Sequence, residues 1–200
     1  MTTILLVEDE LALAKSLAQT LEATGAVVRL ALNGEIALER FRRERPDLVL
    51  LDVMMPVMGG YETCAEIRKL DRDVPVIFLT ALDSDADQIR GLEVGGDDYV
   101  LKSVSDEVLL ARVRKALERS ARLRPSAAPD SLTRTEGAIY QLLKSDPRRY
   151  FSYDDIASAV FGEGYILDES TVRAHVSHLR RKLSPNETIE TKRGFGFRLG

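Results

Sequence analysis

Short apolar runs alternate with amphipathic stretches through the first 119 residues. Runs of strand length lie at residues 4–7, 27–31, 48–51, 76–79 and 99–101. They are nearly continuous in Val, Ile and Leu, the pattern of strands buried on both faces. Between them the apolar positions recur at helical spacing, over 11–24, 34–44, 60–69 and 83–94. A fifth helical pattern, 105–119, follows the last run. Five such strand–helix units predict an α/β domain with a flavodoxin-like, doubly wound, five-stranded parallel sheet.

The pattern then breaks. Residues 120–131 hold Pro125, Pro129, Ser126 and three alanines, with little that could anchor a core, and are expected to form a linker between domains 1–119 and 132–200. Beyond it, a helix is predicted after Thr133, with Ile139, Leu142 and Leu143 as its apolar stripe. A second follows Ser152 (Ile156, Ala157, Val160, Phe161), and a third spans about 169–183. The segment 189–198 places Gly194 and Gly196 between strand-like ends and is expected to be a hairpin. Three helices and a hairpin outline a small winged helix-turn-helix domain.

Charge separates the same two regions. The net of −4 divides into 15 Lys/Arg against 22 Asp/Glu before residue 120 and 13 against 10 after it. A basic second half suits an anionic partner. Cys64, the one cysteine, cannot close an internal disulfide and is expected to be a small buried hydrophobe. The apolar run at the N-terminus is short and lacks a basic flank, and no stretch approaches ~18 apolar residues. A cytoplasmic protein with no membrane segment is expected.

Candidate chemistry emerges when polar residues are placed at strand ends. Glu8 and Asp9 follow the first strand, Asp52 the third, Thr80 the fourth and Lys102 the fifth. In a parallel sheet these ends share one edge, where doubly wound folds bind ligands. Three carboxylates and a lysine there make a hard oxygen site suited to Mg²⁺.

Val7-Glu8-Asp9, Leu51-Asp52-Val53-Met54-Met55-Pro56, Leu79-Thr80-Ala81 and Gly96-Asp97-Asp98-Tyr99 leading to Lys102 together resemble the receiver domain of two-component response regulators. The resemblance covers residues 2–119. It implies that Asp52 accepts a phosphoryl group from a sensor histidine kinase. Glu8, Asp9, Asp52 and the Met54 carbonyl would hold Mg²⁺, while Thr80 and Lys102 bind phosphoryl oxygens and Tyr99 is the switching aromatic. No enzyme activity is implied beyond the domain's own phosphoryl transfer and dephosphorylation. The chain departs from the family pattern at Ser103, where proline usually follows the lysine, and at Gly59, where Asp or Asn is usual.

Residues 132–199 resemble the effector domain of the OmpR/PhoB subfamily, through Leu132-Thr133 with Glu136, the run 170–183 and the run 189–199. That resemblance implies promoter DNA as partner, with RNA polymerase a further candidate. The third helix would offer Arg173, Ser177, Arg180, Arg181 and Lys182 to the major groove, and the hairpin tip Lys192 and Arg193 to the minor groove. His175 and His178 are expected at the surface or facing DNA. The subfamily also implies a receiver homodimer using Asp98 with Arg112, Asp97 with Arg119, and an apolar patch of Ile89, Leu92 and Ala111. Its four-stranded sheet ahead of the effector helices has no room in the 12 residues after Arg119. The leading expectation is a phosphorylation-controlled transcriptional regulator; the alternative is a phospho-switch whose winged helix binds a protein.

Overall fold

The computed structural model describes residues 1–81, 85–122, 132–162, 169–184 and 186–200, with the side chains at 85, 86, 88, 89, 121 and 122 outside the description. Two compact units divide it, Met1–Leu117 and Glu118–Gly200.

In the first unit five strands alternate with five helices: β1 (Thr3–Val7), α1 (Leu11–Glu22), β2 (Val27–Ala31), α2 (Gly34–Arg43), β3 (Leu48–Leu51), α3 (Gly60–Leu70), β4 (Val76–Thr80), α4 (Asp85–Glu93), β5 (Asp98–Leu101) and α5 (Asp106–Arg122). The strands pair in parallel, in the order β2-β1-β3-β4-β5. Successive side chains on a strand take opposite faces. Leu5, Val7, Val49, Leu51 and Phe78 therefore meet Leu38, Phe41 and Ile67 on one side. Ile4, Leu6, Leu50 and Leu79 meet Leu17, Leu21, Leu109 and Val113 on the other. Each such fully buried side chain contributes about 1.5–3 kcal/mol, enough in sum to fix strand register and hence the strand ends. The chain reverses between β1 and β3, which opens a crevice at their carboxyl ends.

Local devices set the approach to that crevice. Asn33 accepts a hydrogen bond from the Ile36 amide at 2.9 Å and caps α2. Gly60 opens α3 against the strand end: a Cβ there would collide with the Asp52 carbonyl. The Lys102–Ser103 bond is trans, since no cis peptide occurs among the described residues.

The second unit contains α6 (Arg134–Ser145), α7 (Tyr153–Phe161), α8 (Glu169–Lys182) and an antiparallel pair, β6 (Ile189–Lys192) and β7 (Gly196–Leu199). Capping boxes, Thr133 with Glu136 and Ser152 with Asp155, start α6 and α7. Ile139, Leu143, Phe151, Ile156, Val176, Leu179 and Phe197 form its core. Phe151 pairs its backbone with Phe197, and Gly196, at φ +142°, lets the two backbones approach.

Two boundaries differ from expectation. Helix α5 continues to Arg122, because Arg119, Ser120 and Ala121 lack any stop signal and the first proline is Pro125. Its last turn, from Glu118, belongs to the second unit. No strand stands between α5 and α6 among the described residues. The expected linker is otherwise outside them, as are the first expected residues of α4.

Candidate functional site

Backbone pairing delivers the acidic residues to one place. Val7 accepts from the Asp52 amide at 2.9 Å, and the Lys102 amide donates to the Thr80 carbonyl at 2.8 Å, so the ends of β1, β3, β4 and β5 are tied edge to edge. Carboxylate oxygens of Glu8, Asp9 and Asp52 lie within 4.8 Å of one another. Glu8 and Asp52 are buried and Asp9 is exposed. Lys102 reaches in from β5, donating to Asp52 Oδ2 at 2.8 Å and Glu8 Oε1 at 2.9 Å. The Met54 amide also donates to Asp52 Oδ1, at 3.3 Å.

One ammonium here faces three carboxylates, two of them stripped of water. Burial first, and then the neighbouring Asp52 charge, push the Glu8 pKa above the ordinary carboxylate value despite the Lys102 hydrogen bond. Burial works against the Lys102 charge, but its hydrogen bonds to Asp52 and Glu8 outweigh that and raise its pKa. Glu8 Oε2, 2.7 Å from Nζ, lies out of line for a hydrogen bond and is a buried acceptor without one. An excess of hard, anionic oxygen with an unsatisfied acceptor fits a divalent cation such as Mg²⁺.

Thr80 ends β4, fully buried, and the ring of Tyr99 is turned inward beside it. Burial raises the Tyr99 pKa, and the neighbouring Tyr61 and Thr80 hydroxyls act on it in turn. Phe78 packs edge-on against Tyr61, with centroids 5.4 Å apart.

Several residues expected at a dimer surface have partners within the single chain. Asp97 is buried, where Arg68 of α3 donates to it at 2.8 Å and the Val76 amide at 2.9 Å. The same guanidinium holds the carbonyls of Gly95 and Val74, at 2.7 and 2.8 Å. Asp98 is paired within the chain to Arg112 at 3.1 Å. Leu92 is a core residue, 1% exposed, because its side of α4 faces the sheet. Only Ala111 of the apolar patch is exposed; the Ile89 side chain is outside the described residues. Arg119 is buried, its guanidinium 4.7 Å from the Phe161 ring centroid within the second unit.

The expected DNA-facing residues divide similarly. Arg180 donates to the Ile189 carbonyl at 2.7 Å and to Thr191 Oγ1 at 2.5 Å, clasping the hairpin. Lys182 is 2.7 Å from the buried Glu136 carboxylate. Arg173 bonds Tyr153 and Glu169 at 3.0 and 3.1 Å. Ser177, Arg181, Lys192 and Arg193 are exposed. The histidines are a correction: His175 is 2% exposed beside Phe161, because it lies on the same stripe as Val172 and Leu179. His178 Nδ1 lies 2.5 Å from Glu136. Position 178 falls one turn before Lys182, so the i, i+4 spacing about Glu136 was a usable signal. Arg68 and Tyr61 gave none, since their partners lie 29 and 26 residues away.

An acidic cluster with a lysine at the switch point of a doubly wound sheet, followed by a helical unit closed by a hairpin, is the arrangement of a receiver followed by an effector region. The chain belongs to the response regulator family. Residues 4–114 match the "Response regulator receiver domain" and 128–199 the "Transcriptional regulatory protein, C terminal" domain, which is of the OmpR/PhoB type. It is 35% identical to the response regulator MprA of Mycobacterium sp. (strain KMS), across 97% of this chain and 95% of that one. The MprA of Mycobacterium leprae (strain TN) is 35% identical across 97% and 96%. Both alignments run over 222 residues against a chain of 200, so these relatives carry residues this chain lacks. The BeF3-activated N-terminal receiver domain of Klebsiella pneumoniae RstA is 40% identical, covering 58% of this chain and 98% of its own, with TM-score 0.56. A RitR mutant shares the fold alone, at 21% identity and TM-score 0.81 over 100% of this chain and 99% of its own. No helix among the described residues is long and apolar enough to cross a membrane.

Proposed function

We propose that Asp52 is phosphorylated by a sensor histidine kinase and that this controls DNA binding by the second unit. The observation that carries the reading is the buried Asp52 carboxylate, 2.8 Å from Lys102 and grouped with Glu8 and Asp9. Asp52 attacks the phosphorus of the donor, the donor's phosphorus–nitrogen bond breaks, and an acyl phosphate forms. Glu8, Asp9, Asp52 and the Met54 carbonyl would hold Mg²⁺, which when bound would supply charge neutralisation for phosphoryl oxygens. Lys102 neutralises a further oxygen, and the Thr80 hydroxyl donates to the third. The product adds about −1.5 to −2 charge.

On the effector side, Ser177, Arg181 and Arg173 on α8 would approach the major groove and Lys192 and Arg193 the minor groove. Arg180 and Lys182 act first as internal ties. A receiver homodimer would exchange the Asp98–Arg112 pair between copies beside Ala111. An Asp97–Arg119 pair between copies would require Arg68 and Phe161, which engage its members within the chain, to yield them. The experiment compares genomic DNA retention by wild type and Asp52→Asn, each with a small phosphodonor and Mg²⁺. Phosphodonor-dependent retention that weakens steeply with salt and is lost in the variant supports the reading. Retention indifferent to both overturns it.

A further inference from the structure

The apolar face of the hairpin runs on past the core it helps to build. Residues of one parity share a face of a strand, and Phe197 and Leu199 are buried on theirs. Phe195 is the next residue of that parity. It lies in the turn beyond the last paired residues, Lys192 and Gly196, and is 63% exposed. Among the described residues of the second unit it is the one exposed large apolar side chain.

The turn that carries Phe195 is fixed at its base and open at its tip. Phe151 and Phe197 exchange backbone hydrogen bonds at 2.8 and 2.9 Å, and a Cβ on Gly196 would collide with the Phe151 carbonyl. The Phe195 amide closes the turn on the Lys192 carbonyl at 2.9 Å, with Gly194 at φ +73° in its third position. A Cβ on Gly194 would meet nothing within 4 Å, so the tip projects into open space. The Lys192 ammonium stands 4.4 Å from the Phe195 ring centroid, and Arg193 is exposed. Glu190, the acid of β6, is turned back to Tyr150 and Arg198, each at 2.8 Å. A single exposed aromatic is ordinary on a protein surface. What sets Phe195 apart is its place beside two cations on a stiff, projecting turn.

We propose that Phe195 is a DNA-contacting residue, a wedge that follows Arg193 into the minor groove and opens a base step there. The cations suit the phosphates that line the groove, and the apolar ring suits the gap between neighbouring base pairs. Pyrimidine–purine steps open most easily, so the wedge selects sequence without a hydrogen bond to any base. The inference rests on the proposed DNA binding of the second unit and adds to it a residue that reads deformability.

The test uses the whole protein with Mg²⁺ and beryllofluoride, which stands in for the phosphoryl group. The probe is a short duplex of alternating thymine and adenine in which 2-aminopurine, a base that brightens when unstacked, replaces some adenines. Wild type should bind with steep salt dependence and raise the fluorescence. Phe195→Ala should weaken binding about ten-fold and abolish the rise, with salt slope and melting temperature unchanged. Phe195→Leu, still an apolar wedge, should keep part of the rise. Arg193→Ala should lower the salt slope yet keep the rise at saturation. Salt-sensitive binding without a rise, or a rise that persists in Phe195→Ala, overturns the wedge alone. So does Phe195→Ala that loses only binding to phosphatidylglycerol vesicles and holds the duplex as before, which would make the tip a membrane contact. Wild type that binds no duplex overturns the DNA reading and the wedge together.

Discussion

In Met1–Leu117 the charges that matter are buried and few: Glu8, Asp52, Asp97 and Asp98 are all under 5% exposed, and each faces Lys102, Arg68 or Arg112. Among the described residues of Glu118–Gly200, Arg149–Asp155, Arg173–Glu169 and Arg198–Glu190 pair at the surface around one buried acid, Glu136. A carboxylate taken from water must be paired, so in the first unit each burial marks either a tie or a site. Glu8 and Asp52 mark a site, because they share a single lysine. Asp97 marks a tie, because one arginine and a backbone amide satisfy it. The second unit uses its buried acid as a tie to His178 and Lys182.

Substitutions sharpen this contrast in descending order of effect. Arg68→Ala leaves Asp97 buried without its cation and should cost about 3–5 kcal/mol, seen as a large drop in the urea midpoint. Glu136→Ala, in the other unit, should cost a similar amount, since it strands Lys182 and removes half of a capping box. The Glu136 case also has a pH signature. Despite the opposing burial, His178 and Lys182 hold its pKa at about 2, below the ordinary 4.5. A depressed carboxylate stabilises the fold above the unfolded value, so this contribution is whole above pH 4.5 and lost as pH falls toward 2. A fluorescence acid titration that leaves Glu136→Gln with the same slope there as wild type would deny it.

Smaller effects distinguish ties from contacts. Arg193→Ala at the hairpin tip should weaken DNA binding and lower the salt slope by about one, with no change in melting temperature. Arg180→Ala should lower the melting temperature as well, because its donors clasp β6. Were the two variants alike in both measurements, the division between ties and contacts would fail. Smallest of all, Arg198→Ala should change stability by no more than about 1 kcal/mol, as its pair with Glu190 is partly exposed.

The fold was legible where burial leaves a continuous trace. All five sheet strands lie within a residue of their expected bounds, because a strand covered on both faces must be apolar throughout. The acidic cavity was legible for a topological reason, since parallel strands bring their carboxyl ends together wherever they stand in the chain. Partnerships across the fold were not. Asp97 and Asp98 look like surface charge in sequence, and only the turn of α3 beneath them shows that Arg68 takes the first. Leu92 and His175 lie deeper than expected because a helical stripe gives a face but not its width. The bond from Arg180 to the Ile189 carbonyl was not legible, because a basic residue opposite a hairpin can reach inward as readily as outward. The Tyr61 hydrogen bond to the Asp87 carbonyl is invisible in sequence, as it joins α3 to α4.

The account turns on where the phosphoryl group goes. Borohydride reduction of the phosphorylated protein converts an acyl-phosphate aspartate to homoserine, which peptide mapping locates. With a small phosphodonor and Mg²⁺, homoserine should appear at position 52 and vanish when the metal is chelated. Label on another carboxylate or on a histidine, or none at all with magnesium present, would contradict it.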